Sequence, residues 1–175
     1  YNNITDESIK ELNLLTSLKC IDSLHITDES IRKLKFLNVL NCNGCLNITN
    51  KSIRELKYLR TLNCSYCENI TDVGIKELKK LKSLKCFSSQ TITDLSIREL
   101  KKLTKLHCGL CENITDESIK ELKMLVSLNC FGCQKITDEG IKELKSLTSL
   151  SCEYCNNIHA DKHIKKDVTT LFKKN

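Results

Sequence analysis

Ile48-Thr-Asn-Lys-Ser-Ile53-Arg-Glu-Leu56-Lys-Tyr-Leu59-Arg-Thr-Leu62-Asn-Cys64-Ser-Tyr-Cys67-Glu-Asn69 changes its periodicity half-way along. Ile53, Leu56 and Leu59 recur at three-residue intervals, which places an apolar stripe along one face of a helix. Thr49 is placed to cap that helix, and Ile48 before it to staple onto Ile53. From Leu59 onward alternation takes over. Leu62 and Cys64 point one way and Thr61, Asn63 and Ser65 the other, which predicts a short strand with one buried face.

The same unit recurs along the chain. Isoleucine stands at 4, 26, 48, 70, 92, 114, 136 and 158, so a 22-residue helix-plus-strand unit is copied seven times without an insertion. Fixed self-similarity of this length predicts a stacked solenoid, in which strands pair in parallel and helices line the far side of a curved sheet. An aspartate after the capping threonine, as at Asp72 and Asp116, adds favourable charge at the helix start. One column reads Ser8, Ser30, Ser52, Gly74, Ser96, Ser118 and Gly140. Nothing larger than serine occurs there, which predicts close approach of neighbouring helices.

Leu59-x-x-Leu62-x-Cys64-x-x-Cys67-x-x-Ile70-Thr71-Asp72-x-x-Ile75-x-x-Leu78 resembles the cysteine-containing leucine-rich repeat. The resemblance covers nearly the whole chain. It implies an α/β horseshoe with its parallel sheet on the concave face and helices on the convex face, built from seven 22-residue repeats over residues 4–157. It also implies protein recognition as in substrate receptors of ubiquitin ligases, where an F-box precedes the repeats. No F-box-like segment is seen here. One departure from the pattern is a cysteine in place of the second strand leucine in all seven copies, at Cys20, Cys42, Cys64, Cys86, Cys108, Cys130 and Cys152; a small buried hydrophobe serves there.

Composition narrows the classes. No tract of 18 apolar residues could span a bilayer, so no membrane association is expected. Net charge is +6, with five lysines against two acids in residues 161–175, too weak a bias to imply nucleic acid. Twelve cysteines would suggest disulfides in a small secreted domain lacking a core. Here each repeat supplies its own core, which favours buried free thiols, a reducing compartment and a cytoplasmic or nuclear location. The opening at Tyr1, without leader or initiator methionine, predicts a longer parent protein. Asn-Ile-Thr triplets at 3, 47, 69 and 113 match glycosylation acceptors, but their threonines already cap helices.

Five CxxC pairs offer the strongest rival signal, since 42/45 and 64/67 have zinc-ribbon separation. That separation follows automatically from the repeat, and the second cysteine becomes Ser23 and Ser89 in two copies. A ladder of small donors facing backbone carbonyls explains both residue types. No metal ligand, cofactor or disulfide is therefore expected. His25, His107, His159 and His163 share no spacing with a carboxylate or nucleophile, and glycine-rich phosphate loops are missing, so no catalytic residue is expected. On the helices a lysine row (35, 57, 79, 101, 123, 145) runs beside a glutamate row (11, 55, 77, 99, 121, 143), read as solvated surface. Leu14, Phe36, Tyr58 and Met124 read as interhelix packing.

Function should sit where the copies disagree, on the outward strand positions. Tyr66, Phe87, Leu110, Phe131 and Tyr154 predict an apolar strip bordered by Lys85, Lys105 and His107, on which a protein or peptide docks. A ubiquitin-ligase complex through upstream sequence is what the resemblance adds. A zinc- or redox-responsive CxxC protein and a basic-surface nucleic-acid binder remain the alternatives, nucleic acid being disfavoured. At the ends, Ile164, Val168, Leu171 and Phe172 predict a capping helix within a basic tail, residues 158–175. Ile4, Ile9 and Leu12 should be partly exposed.

Overall fold

The computed structural model describes residues 4–159. One-turn helices alternate with three-residue strands in the order α1 (Asp6–Ile9), β1 (Ser17–Lys19), α2 (Asp28–Ile31), β2 (Val39–Asn41), α3 (Asn50–Ile53), β3 (Thr61–Asn63), α4 (Asp72–Ile75), β4 (Ser83–Lys85), α5 (Asp94–Ile97), β5 (Lys105–His107), α6 (Asp116–Ile119), β6 (Ser127–Asn129), α7 (Asp138–Ile141) and β7 (Ser149–Ser151). The strands form one parallel sheet in sequence order. Its register places each residue opposite its equivalent 22 positions on, as in Leu62↔Leu84 and Lys85↔His107. The predicted α/β repeat architecture is therefore observed.

The helix is shorter than its apolar stripe suggests. In the third repeat it covers only Asn50–Ile53, and Leu56 and Leu59 lie beyond it. There Leu56 N–H donates to Ile53 and Leu59 N–H to Leu56, at 3.1 and 3.0 Å. These are i→i−3 bonds, and three residues per turn is the period they impose. The strict three-residue spacing of Ile53, Leu56 and Leu59 thus records a train of tight turns, all three side chains facing the core.

Threonine caps each helix from the second onward, its hydroxyl accepting the N–H two residues later, as Thr93 does from Leu95 at 3.1 Å. The following aspartate does more than complement a dipole. Asp94 accepts from both the N–H and the hydroxyl of Thr115, at 2.8 and 2.7 Å, and so clamps one repeat to the cap of the next. Asp6, Asp28, Asp72 and Asp116 do the same. Asn50 fills this role in repeat three, taking the Thr71 N–H and donating to its hydroxyl. Ser30 and Ser52 add a hydroxyl bond to the same carboxylates. At Gly74 and Gly140 the preceding repeat's clamp sits closer still: a Cβ there would lie 2.6 Å from Asn50 Oδ1 and 2.3 Å from Asp116 Oδ1.

A second ladder lies in the same strand-to-helix loop, two residues before the capping threonine. Asn47, Asn69 and Asn113 donate their side-chain amides to carbonyls of the preceding repeat, Leu24, Leu46 and Gln90, at 2.8, 2.8 and 2.9 Å. These three asparagines of the Asn-Ile-Thr triplets are thus engaged as struts between repeats, a role their sequence context did not reveal.

Between sheet and helical turns runs one continuous core of leucine, isoleucine and cysteine, fully buried through the interior repeats. At the N-terminal end Leu12 is 49% exposed where its equivalents Leu34 and Leu56 are fully covered. Ile4 is half-buried, but Ile9 is buried, contrary to expectation, because repeat two covers its flank. The capping helix expected around Ile164, Val168, Leu171 and Phe172 lies outside the described residues.

Candidate functional site

The sheet's outer face gathers the aromatic side chains into one line. Tyr66 and Phe87 have ring centroids 5.6 Å apart, Phe87 and Phe131 6.4 Å, and Phe131 and Tyr154 5.1 Å. Four residues spread over repeats three to seven thus become a single apolar strip. Phe87 and Phe131 are half-buried, while Tyr66 is 52% and Tyr154 73% exposed. Rings in tilted and edge contact hold one another in place, so the strip is preformed rather than assembled on contact.

Gly109 makes the line continuous. Phe87 and Phe131 stand two repeats apart, and a Cβ at Gly109 would lie 2.8 Å from the Phe87 ring and 3.2 Å from Phe131 Cβ. Glycine lets the rings close over the intervening strand end. Ser65 is buried beneath the same strip, its hydroxyl accepting the Phe87 N–H at 3.1 Å. Ser65 is one of the outward-facing positions that the alternation predicts, and Gly109 is its equivalent two repeats on; the covering role of both comes from the fold.

The outermost column turns out to be left-handed throughout the sheet. Asp22, Tyr66, Ser88, Leu110 and Tyr154 have φ between 53° and 60°, and Gly44 and Gly132 have 69° and 68°. Such a backbone suits glycine and costs other residues about 1 kcal/mol or more. Two glycines and an aspartate in one column were the available signal. Tyrosine and leucine at these positions are tolerated against local preference, and each projects apolar surface outward: Leu110 is 39% exposed and leans over Gly132.

Lys85 and His107 face one another across β4 and β5, and Lys105 stands opposite Ser83. Burial, then Lys85, then Lys105 hold the His107 imidazole below its ordinary pKa, so it is neutral at neutral pH. The local field is therefore positive. In the same polar column Asn41, Asn63 and Asn129 each accept the N–H two residues on, at 3.2–3.3 Å, and serve the strand's own end.

The cysteines face inward, and all twelve are buried and free. Within each CxxC only the backbone joins the pair, and the thiol bonds between cysteines run across repeats. Cys67, Cys111 and Cys133 donate to the carbonyls of Cys42, Cys86 and Cys108 in the preceding repeat, at 3.0, 2.9 and 3.0 Å. This is the donor ladder expected of the second cysteine. In repeat four Ser89 instead bonds the Thr91 hydroxyl, which in turn donates to Ile70 O. Burial pushes the Cys64 thiol well up and Cys152 to about 11, and the Cys67 thiol together with burial pushes Cys42 well up. The raised thiols of this column make poor nucleophiles, whereas side-chain hydrogen bonding with Cys42, Cys86 and Cys108 holds Cys67, Cys111 and Cys133 below the ordinary thiol value. Among the described residues no three His, Cys, Asp or Glu side chains converge as a metal would need.

One apolar column departs from expectation. Leu14, Phe36, Tyr58 and Met124 are 50–76% exposed and do not fill the space between helices. They sit where the helical turns lead into the strands, so their side chains clear the core. Phe36 stacks on Tyr58 at 6.2 Å, and Lys80 lies 4.4 Å above the Tyr58 ring.

A leucine-rich-repeat family model matches residues 55–79 and 121–145. With seven register-locked parallel strands, each preceded by a helical turn, this settles the architecture. The fold is that of a leucine-rich-repeat solenoid. No curated protein sequence matches the chain significantly. Among solved structures, this leucine-rich-repeat solenoid is similar to internalin C2 of Listeria monocytogenes, at 20% identity and TM-score 0.59 over 89% of this chain and 77% of that one. It is also similar to a chain of the Drosophila Toll–Spatzle complex (14%, TM-score 0.64, 85% of this chain) and to one of the TLR13–ssRNA13 complex (20%, 0.62, 86%). It spans only 21% and 27% of those two chains.

Proposed function

We propose that this leucine-rich-repeat solenoid is a non-catalytic scaffold that binds a partner protein on the outer face of its sheet. The observation that carries the reading is the preformed ring line from Tyr66 to Tyr154, built partly on left-handed backbone. Exposed aromatic clusters on a rigid support are the usual anchors of protein interfaces. Lys85, Lys105, His107 and Leu110 complete the surface. The similar Toll chain comes from a complex with Spatzle, which agrees with a protein ligand. The TLR13 chain comes from a complex with single-stranded RNA, and nucleic acid is accordingly kept as a competing ligand in the tests. The cysteine-rich repeat pattern, by its resemblance to F-box receptors, supports substrate recruitment for ubiquitination in a reducing compartment, cytoplasm or nucleus, as the specific form of this role.

Alanine at both Phe87 and Phe131, with Lys85→Glu, tests the reading. Partner capture by the protein should be abolished while the far-UV circular-dichroism melt of the repeats stays nearly unchanged. Unchanged capture by a folded variant would refute it.

A further inference from the structure

Cations are treated differently on the two sides of the molecule. On the helix side three lysines meet a glutamate one repeat on, among them Lys79 with Glu99 at 2.9 Å and Lys101 with Glu121 at 2.8 Å. Where the strands begin, Arg60, Lys80, Lys82 and Lys102 line one shallow groove with Thr104 and Met124. Around the corner Lys85 and Lys105 stand exposed on β4 and β5. Among the described residues none of these six is ion-paired, and Lys80 has only the Tyr58 ring beneath it.

Backbone bonds fix the band's spacing. Arg60 O accepts from Lys82 N–H at 2.8 Å, and Lys82 O from Thr104 N–H at 2.8 Å and Lys105 N–H at 3.0 Å. Successive rungs therefore lie one strand apart, about 4.8 Å. The band leads through Lys85 to Phe87, two residues on, and so into the aromatic strip. At the strand ends of this face the acids are Asp22 and Glu153, in the first and last repeats, and Glu68 and Glu112 lie in the turns beyond Tyr66 and Leu110, at the far end of the strands from Arg60 and Lys82. Like charges held together without counter-charge raise the cost of the free surface, and an anionic partner relieves it.

We infer that the sheet face takes an extended acidic peptide segment, its carboxylates on the band from Arg60 to Lys105 and its apolar side chains on the Tyr66–Phe87–Phe131 strip. This rests on the scaffold reading above and supplies the chemistry of its partner. A peptide fits better than single-stranded nucleic acid because the rings are turned into one another, at interplanar angles of 52° and 36°, instead of presenting free parallel faces for bases. Phe36 and Tyr58 likewise cover one another, with Lys80 over the second ring.

The test is a random dodecapeptide display selection on the intact chain, followed by fluorescence anisotropy of the best binders. Selected sequences should pair Asp or Glu with Leu, Phe or Tyr, and their Asn/Gln isosteres should bind at least about tenfold more weakly to the unaltered protein. Lys82→Glu with Lys105→Glu should weaken binding by a similar factor, whereas Lys33→Glu on the helix side should not. Binders without acidic enrichment that need Phe87 and Phe131 would overturn the inference and leave the scaffold standing. Binders indifferent to Phe87 and Phe131 would remove both. An oligoribonucleotide that binds more tightly than the best peptide and competes with it would overturn the inference in favour of nucleic acid. The isostere comparison needs no substitution, so a variant that fails to fold does not spare the proposal.

Discussion

The helix side and the sheet side of this molecule are made from the same 22-residue unit, yet they handle polar groups in opposite ways. On the helix side Lys35, Lys79 and Lys101 are each matched by a glutamate of the next repeat, and the aspartates are consumed in clamping threonine caps. On the sheet side lysines stand unmatched, aromatic rings are exposed, and tyrosine and leucine occupy backbone that prefers glycine. Repetition pairs part of the first surface and leaves the band on the second without carboxylate partners among the described residues. A surface kept in that condition by a well-packed wall behind it is a surface to be completed by something else.

The comparison can be broken most severely from behind. Leu106→Ala, under His107 in the fully buried wall, should cost about 2–5 kcal/mol, read as a lower denaturant midpoint, and should disable both faces together. Next comes the clamp: Asp94→Ala strips Thr115 of its charged acceptor and should cost about 2 kcal/mol in the same titration without touching ligand binding. Acid sharpens this point. Burial alone would raise the Asp28 carboxyl, but hydrogen bonds from Ser52 and Thr49 hold it below its ordinary value of 3.8. Its stabilising contribution is thus complete above that value and fades as pH falls through the lowered one. Melts of Asp28→Asn should lose less stability on acidification than those of the native chain.

Smaller effects separate the faces. Tyr154→Gly relieves left-handed strain and should raise stability by up to about 1 kcal/mol while weakening peptide binding, a trade in opposite directions on one residue. Lys79→Ala removes an exposed ion pair and should change stability by no more than about 0.5 kcal/mol and binding not at all. A large binding loss there would erase the distinction between the sides.

What was legible beforehand followed from periodicity. The 22-residue spacing of isoleucine specified parallel, in-register strands, and alternation at Leu62 and Cys64 specified which way each side chain points. Helix length is not legible in that spacing, because i→i−3 bonding produces the same three-residue pattern as an α-helical stripe. Phe36 and Tyr58 were assigned to packing because column membership alone does not say whether a position lies just inside the helical turns or just beyond them. The candidate strip could be named from variation between copies. Its continuity could not, since it depends on Gly109 being empty enough for two rings 44 residues apart to meet, and that is a fact of three dimensions.

The sealed thiols give the molecule an internal gauge of its own opening. Every interior cysteine is shielded from solvent, whereas Cys152 and Cys155 in the last repeat are already 8% exposed. An alkylating reagent would therefore mark sulphurs in the order in which repeats come apart. The mass pattern of partly labelled chains would report whether the array frays from an end or yields all at once.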